Sequence, residues 1–127
     1  MITFNLAKLK ENNKVSVKNT DEAFDNSPLA NQEFEVVVSK LTRSQKIDIA
    51  TEAMDGEKIS NGKYSKAMFI KSIREIEGME VEGEADIREV IWEYGDDVLV
   101  DAIKQAIDSF TKADEEKKSD FDPSAIG

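Results

Sequence analysis

The sequence predicts an α+β fold that is predominantly α, in three segments. Apolar residues alternate with period two in the first 40 residues, which is typical of strands and predicts an N-terminal β arm at residues 1–40. They recur at helical spacing afterwards, which predicts a compact domain of four helices at residues 41–110. Beyond that point they almost disappear, so residues 111–127 are expected to form a flexible, disordered acidic tail.

The alternation in the N-terminal arm predicts three strands. Their apolar positions are Ile2, Phe4 and Leu6, then Val15 and Val17, then Phe34, Val36 and Val38. Residues 11–13 form a plausible turn, because Asn tolerates left-handed backbone conformations. The polar stretch from Asn19 to Gln32 predicts a mobile loop.

The first two predicted helices have clear boundary signals. Thr42 and Gln45 have the spacing of a capping box, and Asp55-Gly56 is expected to end the first helix. Its expected apolar face consists of Ile47, Ala50 and Met54, with Ile49 and Ala53 beside it. The second helix carries a broad stripe made of Tyr64, Met68, Phe69, Ile73 and Ile76. Gly78 is placed to stop this helix in the left-handed conformation.

The third and fourth helices follow an extended connector from Met79 to Ala85. Asp86 opens the third helix and Gly95 closes it. Its one-sided stripe contains Ile87, Val90, Ile91 and Tyr94. Asp96 and Asp97 are expected to cap the fourth helix, whose stripe contains Leu99, Ala102, Ile103, Ala106, Ile107 and Phe110. With so short a break, the two helices are expected to meet as a corner or a hairpin.

The composition argues against an enzyme. The chain contains neither His nor Cys, so it lacks the side chains most used for proton transfer, thiol chemistry and metal capture near neutral pH. The stretch around Gly56 superficially resembles a calcium-binding loop, but Thr51 and Ala53 stand where carboxylate ligands belong. No phosphate-binding glycine motif is present either. We therefore expect no catalytic residue, no cofactor and no metal site.

The charge is unevenly distributed. Residues 1–74 carry 12 basic against 10 acidic side chains, whereas residues 75–127 carry 5 against 17. The acidic half disfavours nucleic-acid binding, and it indicates either solubility or steering towards a basic partner. No apolar run approaches the length that spans a bilayer, and no signal peptide is evident at the start. The absence of Cys fits a cytoplasmic protein.

Four aromatic residues are candidates for partner contact: Phe69, Trp92, Phe110 and Phe121. The expectation is that they stay exposed. Trp92 lies at the edge of its helix stripe, so core packing is the competing interpretation. Phe121 is flanked by aspartates in the predicted tail, where there is no core to join. It therefore suggests a short linear docking motif.

The order of these elements resembles a known family. A strand (EFEVVV) precedes a Thr-capped helix (LTRSQKIDIATEAM), and a Tyr/Phe-bearing helix (YSKAMFIKSIREIEGME) follows. A Gly-Asp-broken helix pair (IREVIWEYGDDVLVDAIKQAIDSF) and an acidic tail complete the series. This arrangement, over residues 34–115, resembles the tail assembly chaperones of long-tailed, siphovirus-type bacteriophages and prophages. Residues 1–32 have no clear counterpart in that family.

The resemblance implies a function and a set of partners. Such chaperones bind the tape measure protein in the bacterial host cytoplasm, keep it soluble and recruit the tail tube protein. They are absent from the mature virion. Self-association is left open. Two alternatives also stay open: an acidic DNA-mimic inhibitor of a DNA-binding protein, and a structural component of the phage tail.

Overall fold

The computed structural model describes the backbone of residues 1–120 and the side chains of residues 1–110. Over this range the helices are α1 (Leu6–Asn12), α2 (Arg43–Glu52), α3 (Asn61–Ser72), α4 (Ile87–Tyr94) and α5 (Asp97–Asp120). The strands are β1 (Lys14–Lys18), β2 (Glu35–Ser39), β3 (Met54–Asp55), β4 (Lys58–Ile59) and β5 (Ile73–Glu77). The fold is mixed α/β with helix predominating, and the predicted N-terminal strand element is present.

The main sheet is antiparallel and has β2 at its centre, with β1 and β5 as its outer strands. Val36 and Val38 of β2 are completely buried, and Val17 of β1 lies opposite Val36. These pairs confirm the second and third predicted strands. β3 and β4 form a separate small hairpin.

β5 occupies residues that the sequence assigned to the end of the second helix, so that prediction is wrong for Ile73 and Ile76. Ile76 pairs with Val36 and Ile73 with Val38, across an irregularity in the register of β2. This irregularity lets two isoleucines three residues apart face the same side of the sheet. A spacing of three suits a helix, but pairing with a buried strand outweighs it for β-branched side chains.

Gly78 is left-handed as expected, with a φ of +79°, but it ends β5 and not a helix. Its backbone passes so close to the residues just before β2 that a Cβ at this position would collide with the carbonyl oxygen of Glu33. The glycine is therefore required both by its backbone conformation and by the close approach of two chain segments.

One hydrophobic core joins the predicted arm to the predicted helical domain. α5 lies over one face of the main sheet and buries Leu99, Ile103, Ala106 and Ile107. From the first 40 residues the core receives Val17, Phe24, Phe34, Val36 and Val38. The fourth predicted helix stripe is thus a core stripe, and the N-terminal strands are part of the same packed unit.

The chain before β1 does not form the first predicted strand. α1 begins at Leu6, where Asn5 accepts a hydrogen bond of 3.1 Å from the backbone N–H of Lys8. The predicted turn is also wrong, because residues 11 and 12 complete this helix. No residue of α1 is buried, and the exposed fraction is 84% at Ile2 and 79% at Phe4. Alternation alone does not make a strand when no strand pairs with it. We call residues 1–12 the N-terminal extension.

The segment predicted as a mobile loop is built into the core. It contains two short 3₁₀ helices, Glu22–Phe24 and Pro28–Asn31. Phe24 is completely buried, and its ring meets that of Phe34 edge to face at 5.2 Å. A single aromatic residue therefore anchors a stretch whose average polarity suggested a solvated loop.

The predicted start of α2 is confirmed, but its predicted end at Asp55-Gly56 is wrong, because the helix ends at Glu52 and Asp55 belongs to β3. The hydroxyl of Thr42 accepts from the N–H of Gln45 at 3.2 Å, and the Gln45 side chain accepts from the N–H of Thr42 at 2.8 Å. The face assignment differs from the expectation, however. Ile49 and Ala53 are the buried residues, while Ile47 is exposed. Met54 has left the helix and begins β3.

α4 and α5 begin at their predicted aspartates. Asp86 accepts from the N–H of Arg88 at 2.9 Å, and Asp96 accepts from the N–H of Val98 at 2.9 Å. Tyr94 was expected on the core-facing stripe of α4 but is 85% exposed. The buried residue of this eight-residue helix is Ile91, with Ile87 and Trp92 partly buried against the core. The helix ends immediately after Tyr94.

The predicted disordered tail is wrong for residues 111–120, because α5 continues to Asp120. Ala, Glu and Lys, which favour helix, dominate these residues and extend a helix already nucleated by its packed part. The rest of the predicted tail, residues 121–127, lies outside the described part of the chain.

Candidate partner-binding site

A groove of about 300 Å³ runs between α3 and α5. Its lining residues are Tyr64, Ser65, Met68, Phe69, Lys104, Ile107 and Asp108. They come from one face of each helix, since Tyr64 and Met68 are one turn apart on α3, as are Lys104 and Asp108 on α5. The groove is thus apolar at its floor, with one charge of each sign at its rim.

A smaller cavity of about 30 Å³ continues the same seam towards β2. Its lining residues are Ser39, Lys40, Leu41, Lys46, Met68, Ser72, Ile107 and Phe110. Met68 and Ile107 line both spaces, so groove and cavity form one apolar seam. We call it the α3–α5 seam.

Ser72 gives this seam an unusual polar feature. It is 1% exposed, and its hydroxyl has no hydrogen-bond partner within the described residues. A buried hydroxyl without a partner costs about 1–3 kcal/mol. The adjoining cavity is large enough for one water molecule, which would satisfy the hydroxyl.

The structure brings three of the four candidate aromatic residues together along the seam. Phe69 is at the groove floor and is 1% exposed, so the expectation that its ring stays exposed is wrong. Its centroid lies 5.1 Å from that of half-buried Trp92. Phe110, also half-buried, lines the small cavity. Phe121 lies outside the described residues.

Lys104 covers the outer face of this aromatic pair. Its Nζ lies 5.1 Å from the centroid of the Trp92 ring, a distance at which the ring quadrupole attracts the ammonium. The same lysine lines the groove. A partner entering the groove would therefore meet this cation, which is held in place by the indole.

Salt bridges join α4 to α3 beside Trp92, and hydrogen bonds between Arg88 and Asp86 fix the start of α4. The Nζ of Lys66 lies 3.4 Å from a carboxylate oxygen of Glu93 and 3.9 Å from one of Glu89. Arg88 donates to the Asp86 carboxylate at 2.7 Å from Nη2 and at 3.1 Å from Nε. These side-chain hydrogen bonds, followed by the backbone hydrogen bond from Arg88, hold the pKa of Asp86 below its ordinary value of 3.8.

Sequence reasoning missed several residues of the seam. Tyr64, Met68 and Ile107 were assigned to helix stripes, and only the structure shows that parts of these stripes face each other across an incompletely filled space. Ser72 carried no signal, because a serine at the end of a helix is ordinary. The i, i+4 spacing of Tyr64 and Met68 was the one available indication of a shared face.

Outside the seam, the fold leaves several large apolar side chains exposed. They are Met1, Ile2, Phe4, Leu6, Leu9, Ile47, Met54, Ile59, Tyr94 and Val98. Half of them belong to the N-terminal extension. Met54 and Ile59 are direct partners in the β3–β4 hairpin.

The described residues offer no metal centre, since no cluster of three or more acidic side chains is arranged to hold a metal ion. In the same part of the chain, no helix combines the length and apolar character needed to cross a membrane. Comparison of the chain with known protein families, curated proteins and solved structures finds no match.

Proposed function

We propose that this protein is a non-enzymatic assembly chaperone that shelters an apolar helical segment of another protein. The observation that carries the proposal is the α3–α5 seam, an incompletely filled apolar groove flanked by Trp92 on a strongly acidic chain. Helical partners commonly lay apolar side chains into such grooves between helices.

The groove has the size of a few anchor side chains of a partner helix and is too small for the whole helix. A volume of about 300 Å³ accommodates one or two large apolar side chains, which is how a few buried anchors dominate many interfaces. Met68 lines the whole seam, and its unbranched thioether adapts to differently shaped partners. The net charge of −10 favours the solubility of the complexes.

Within this class, we propose the phage or prophage tail assembly chaperone, whose family the sequence resembles. The client is then the tape measure protein, a long apolar helical chain, and the tail tube protein is recruited around it. The protein acts in the bacterial cytoplasm and leaves before the virion is complete.

Co-expression with a tape measure protein tests this function. We expect the client to move from the insoluble to the soluble fraction and to co-purify with this chain. A client whose solubility is unchanged contradicts the chaperone function. Competition with DNA for a basic protein supports the DNA-mimic alternative instead, and recovery from purified virions supports a structural component.

Two tyrosine variants test the groove. Tyr64→Glu places a carboxylate at the groove, and we expect it to weaken client retention at least tenfold. Tyr94→Glu is the matched control, because Tyr94 is largely exposed on α4 and does not line the groove. Equal losses for both variants, with both proteins folded, would place the client elsewhere.

A further inference from the structure

The N-terminal extension and the body enclose a second apolar hollow, of about 340 Å³. Its lining residues are Leu6, Leu9, Lys10, Asn13, Lys14, Ser39, Lys40, Thr42, Gln45 and Arg74. Leu6 and Leu9 are its apolar residues, and both stay substantially exposed. We call this space the basic hollow.

The charge of the basic hollow is opposite to that of the chain. Its lining contains three lysines and one arginine and no acidic residue, on a protein of net charge −10. Lys10, Lys14 and Arg74 take part in none of the ion pairs found among the described residues. A space lined by leucines and by cations is complementary to an apolar side chain flanked by carboxylates.

The same chain carries a segment of that chemistry. Phe121 stands between Asp120 and Asp122. An apolar cavity of about 150 Å³ is enough for a benzene ring, so the basic hollow has room for a phenylalanine with its flanking backbone. The two aspartates would then lie among the rim cations.

We propose that the basic hollow of one molecule binds the Asp120-Phe121-Asp122 segment of a second copy of this chain. α5 continues to Asp120, which is about 15 Å beyond Phe110 at 1.5 Å per residue. Phe110 lines the cavity that shares Ser39 and Lys40 with the basic hollow. Every molecule carries both the hollow and the segment, so the segment of one copy can enter the hollow of another.

Such a contact is heterologous, because each molecule offers a different surface to each neighbour. Repetition of the contact gives rings or open chains in place of closed dimers. The attraction between aspartates and rim cations is partly screened by salt. The proposal concerns self-association alone and does not rest on the chaperone function.

Sedimentation of the full chain over a range of concentrations is the first test. We expect an average mass that rises above the 14.2 kDa of one chain and falls back at high salt. Phe121→Ala and Leu9→Ser should each weaken the association about tenfold or more, as expected for the loss of one buried apolar side chain. Ile59→Ser, at an exposed site on β4, is the matched control and should associate like the parent.

Mixing the two variants gives the decisive measurement. The Phe121→Ala chain keeps its hollow but loses its segment, and the Leu9→Ser chain keeps its segment but loses its hollow. The mixture should therefore form heterodimers and no larger species. Leu9→Ser does not threaten the core, because no residue of α1 is buried.

Three results would overturn the proposal. The parent chain could stay monomeric at every concentration, the variants could associate like the parent, or the mixture could fail to form heterodimers. A monomeric parent in which Phe121→Ala changes the NMR signals of the Leu9 methyl groups would indicate docking within one molecule, and it would overturn binding to a second copy.

Discussion

Arg88 connects two helices through a single side chain: its Nη1 donates a 3.0 Å hydrogen bond to the carbonyl oxygen of Ile70. The rest of the guanidinium is bound to Asp86, the N-cap of α4. The planar group thus fixes the start of α4 against the end of α3, with fixed directions that a lysine ammonium lacks. Trp92 lies on the helix so positioned.

Arg88→Ala should reduce the free energy of unfolding by about 1–2 kcal/mol, since it removes a charge-assisted cap contact and leaves the Ile70 carbonyl without this donor. Urea denaturation measures the change. Arg43→Ala, at an exposed arginine of α2, is the matched control and should change stability by less than about 0.5 kcal/mol. Equal effects would show that neither the Asp86 contact nor the Ile70 contact of Arg88 contributes to stability.

The contribution of Asp86 should depend on acid pH. Arg88 holds its folded pKa below the ordinary value of 3.8, so the stabilisation is fully present above about pH 4 and is lost as the pH falls through the folded pKa. The stability difference between the parent and Asp86→Asn should therefore shrink on acidification. In an Arg88→Ala background the same substitution should show a weaker pH dependence, because only the backbone hydrogen bond from residue 88 then lowers the pKa of Asp86. An unchanged dependence there would contradict the part assigned to the guanidinium.

Gly78→Ala should be among the most destabilising small substitutions, at about 3 kcal/mol or more. It combines a left-handed conformation, which costs about 1–2 kcal/mol, with a collision against the Glu33 carbonyl. Gly56→Ala separates the two effects, because Gly56 has a φ of +70° but open space around it. Thermal unfolding should show the smaller loss there, and similar losses would show that the close approach is unimportant.

Gly62→Ala should stabilise the protein by about 0.5 kcal/mol. Gly62 lies in the first turn of α3, it is not among the glycines of positive φ, and nothing lies near its missing Cβ. Alanine therefore reduces the entropy of the unfolded chain without strain. A loss of stability in denaturant titrations would indicate a contact that the fold does not reveal.

Ser72→Ala should raise the free energy of unfolding by up to about 1 kcal/mol, because it removes a buried hydroxyl without a partner. Ser65→Ala, on the exposed part of α3, is the control and should be close to neutral. A lower stability for Ser72→Ala would instead indicate that a bound water in the small cavity satisfies the hydroxyl.

The parts of the fold that follow from local chemistry could be predicted. The Thr42–Gln45 capping box, the Asp86 and Asp96 caps and the stop at Gly95 depend on neighbouring residues alone. The alternation of apolar residues around Val36 could also be predicted as a strand, because a half-buried strand requires such an alternation.

The predictions were wrong where pairing or packing between residues distant in the sequence determines the structure. Ile73 and Ile76 fit a helix by spacing, but β2 recruits them into the sheet. Ile2 and Phe4 fit a strand, but no strand pairs with them. Phe24 was hidden in a polar stretch, and only the shape of the core reveals its role.

Only part of the candidate site could be predicted from the sequence, because the packing of distant elements again decides the rest. Aromatic residues at helix edges, such as Trp92 and Phe110, can be nominated from spacing. Whether a stripe is sealed or leaves a gap depends on how two helices cross, which no single helix encodes. Phe69 was therefore misjudged as exposed, and Met68 was overlooked as a lining residue.

The outer strands of the main sheet have a consequence for aggregation. β1 starts and ends with lysines, and β5 places Arg74, Glu75 and Glu77 along the opposite margin. Charged residues on such margins oppose the backbone-to-backbone growth that leads to amyloid. Polymers of this protein, if they form at high expression, should consequently dissolve on dilution and leave thioflavin fluorescence unchanged.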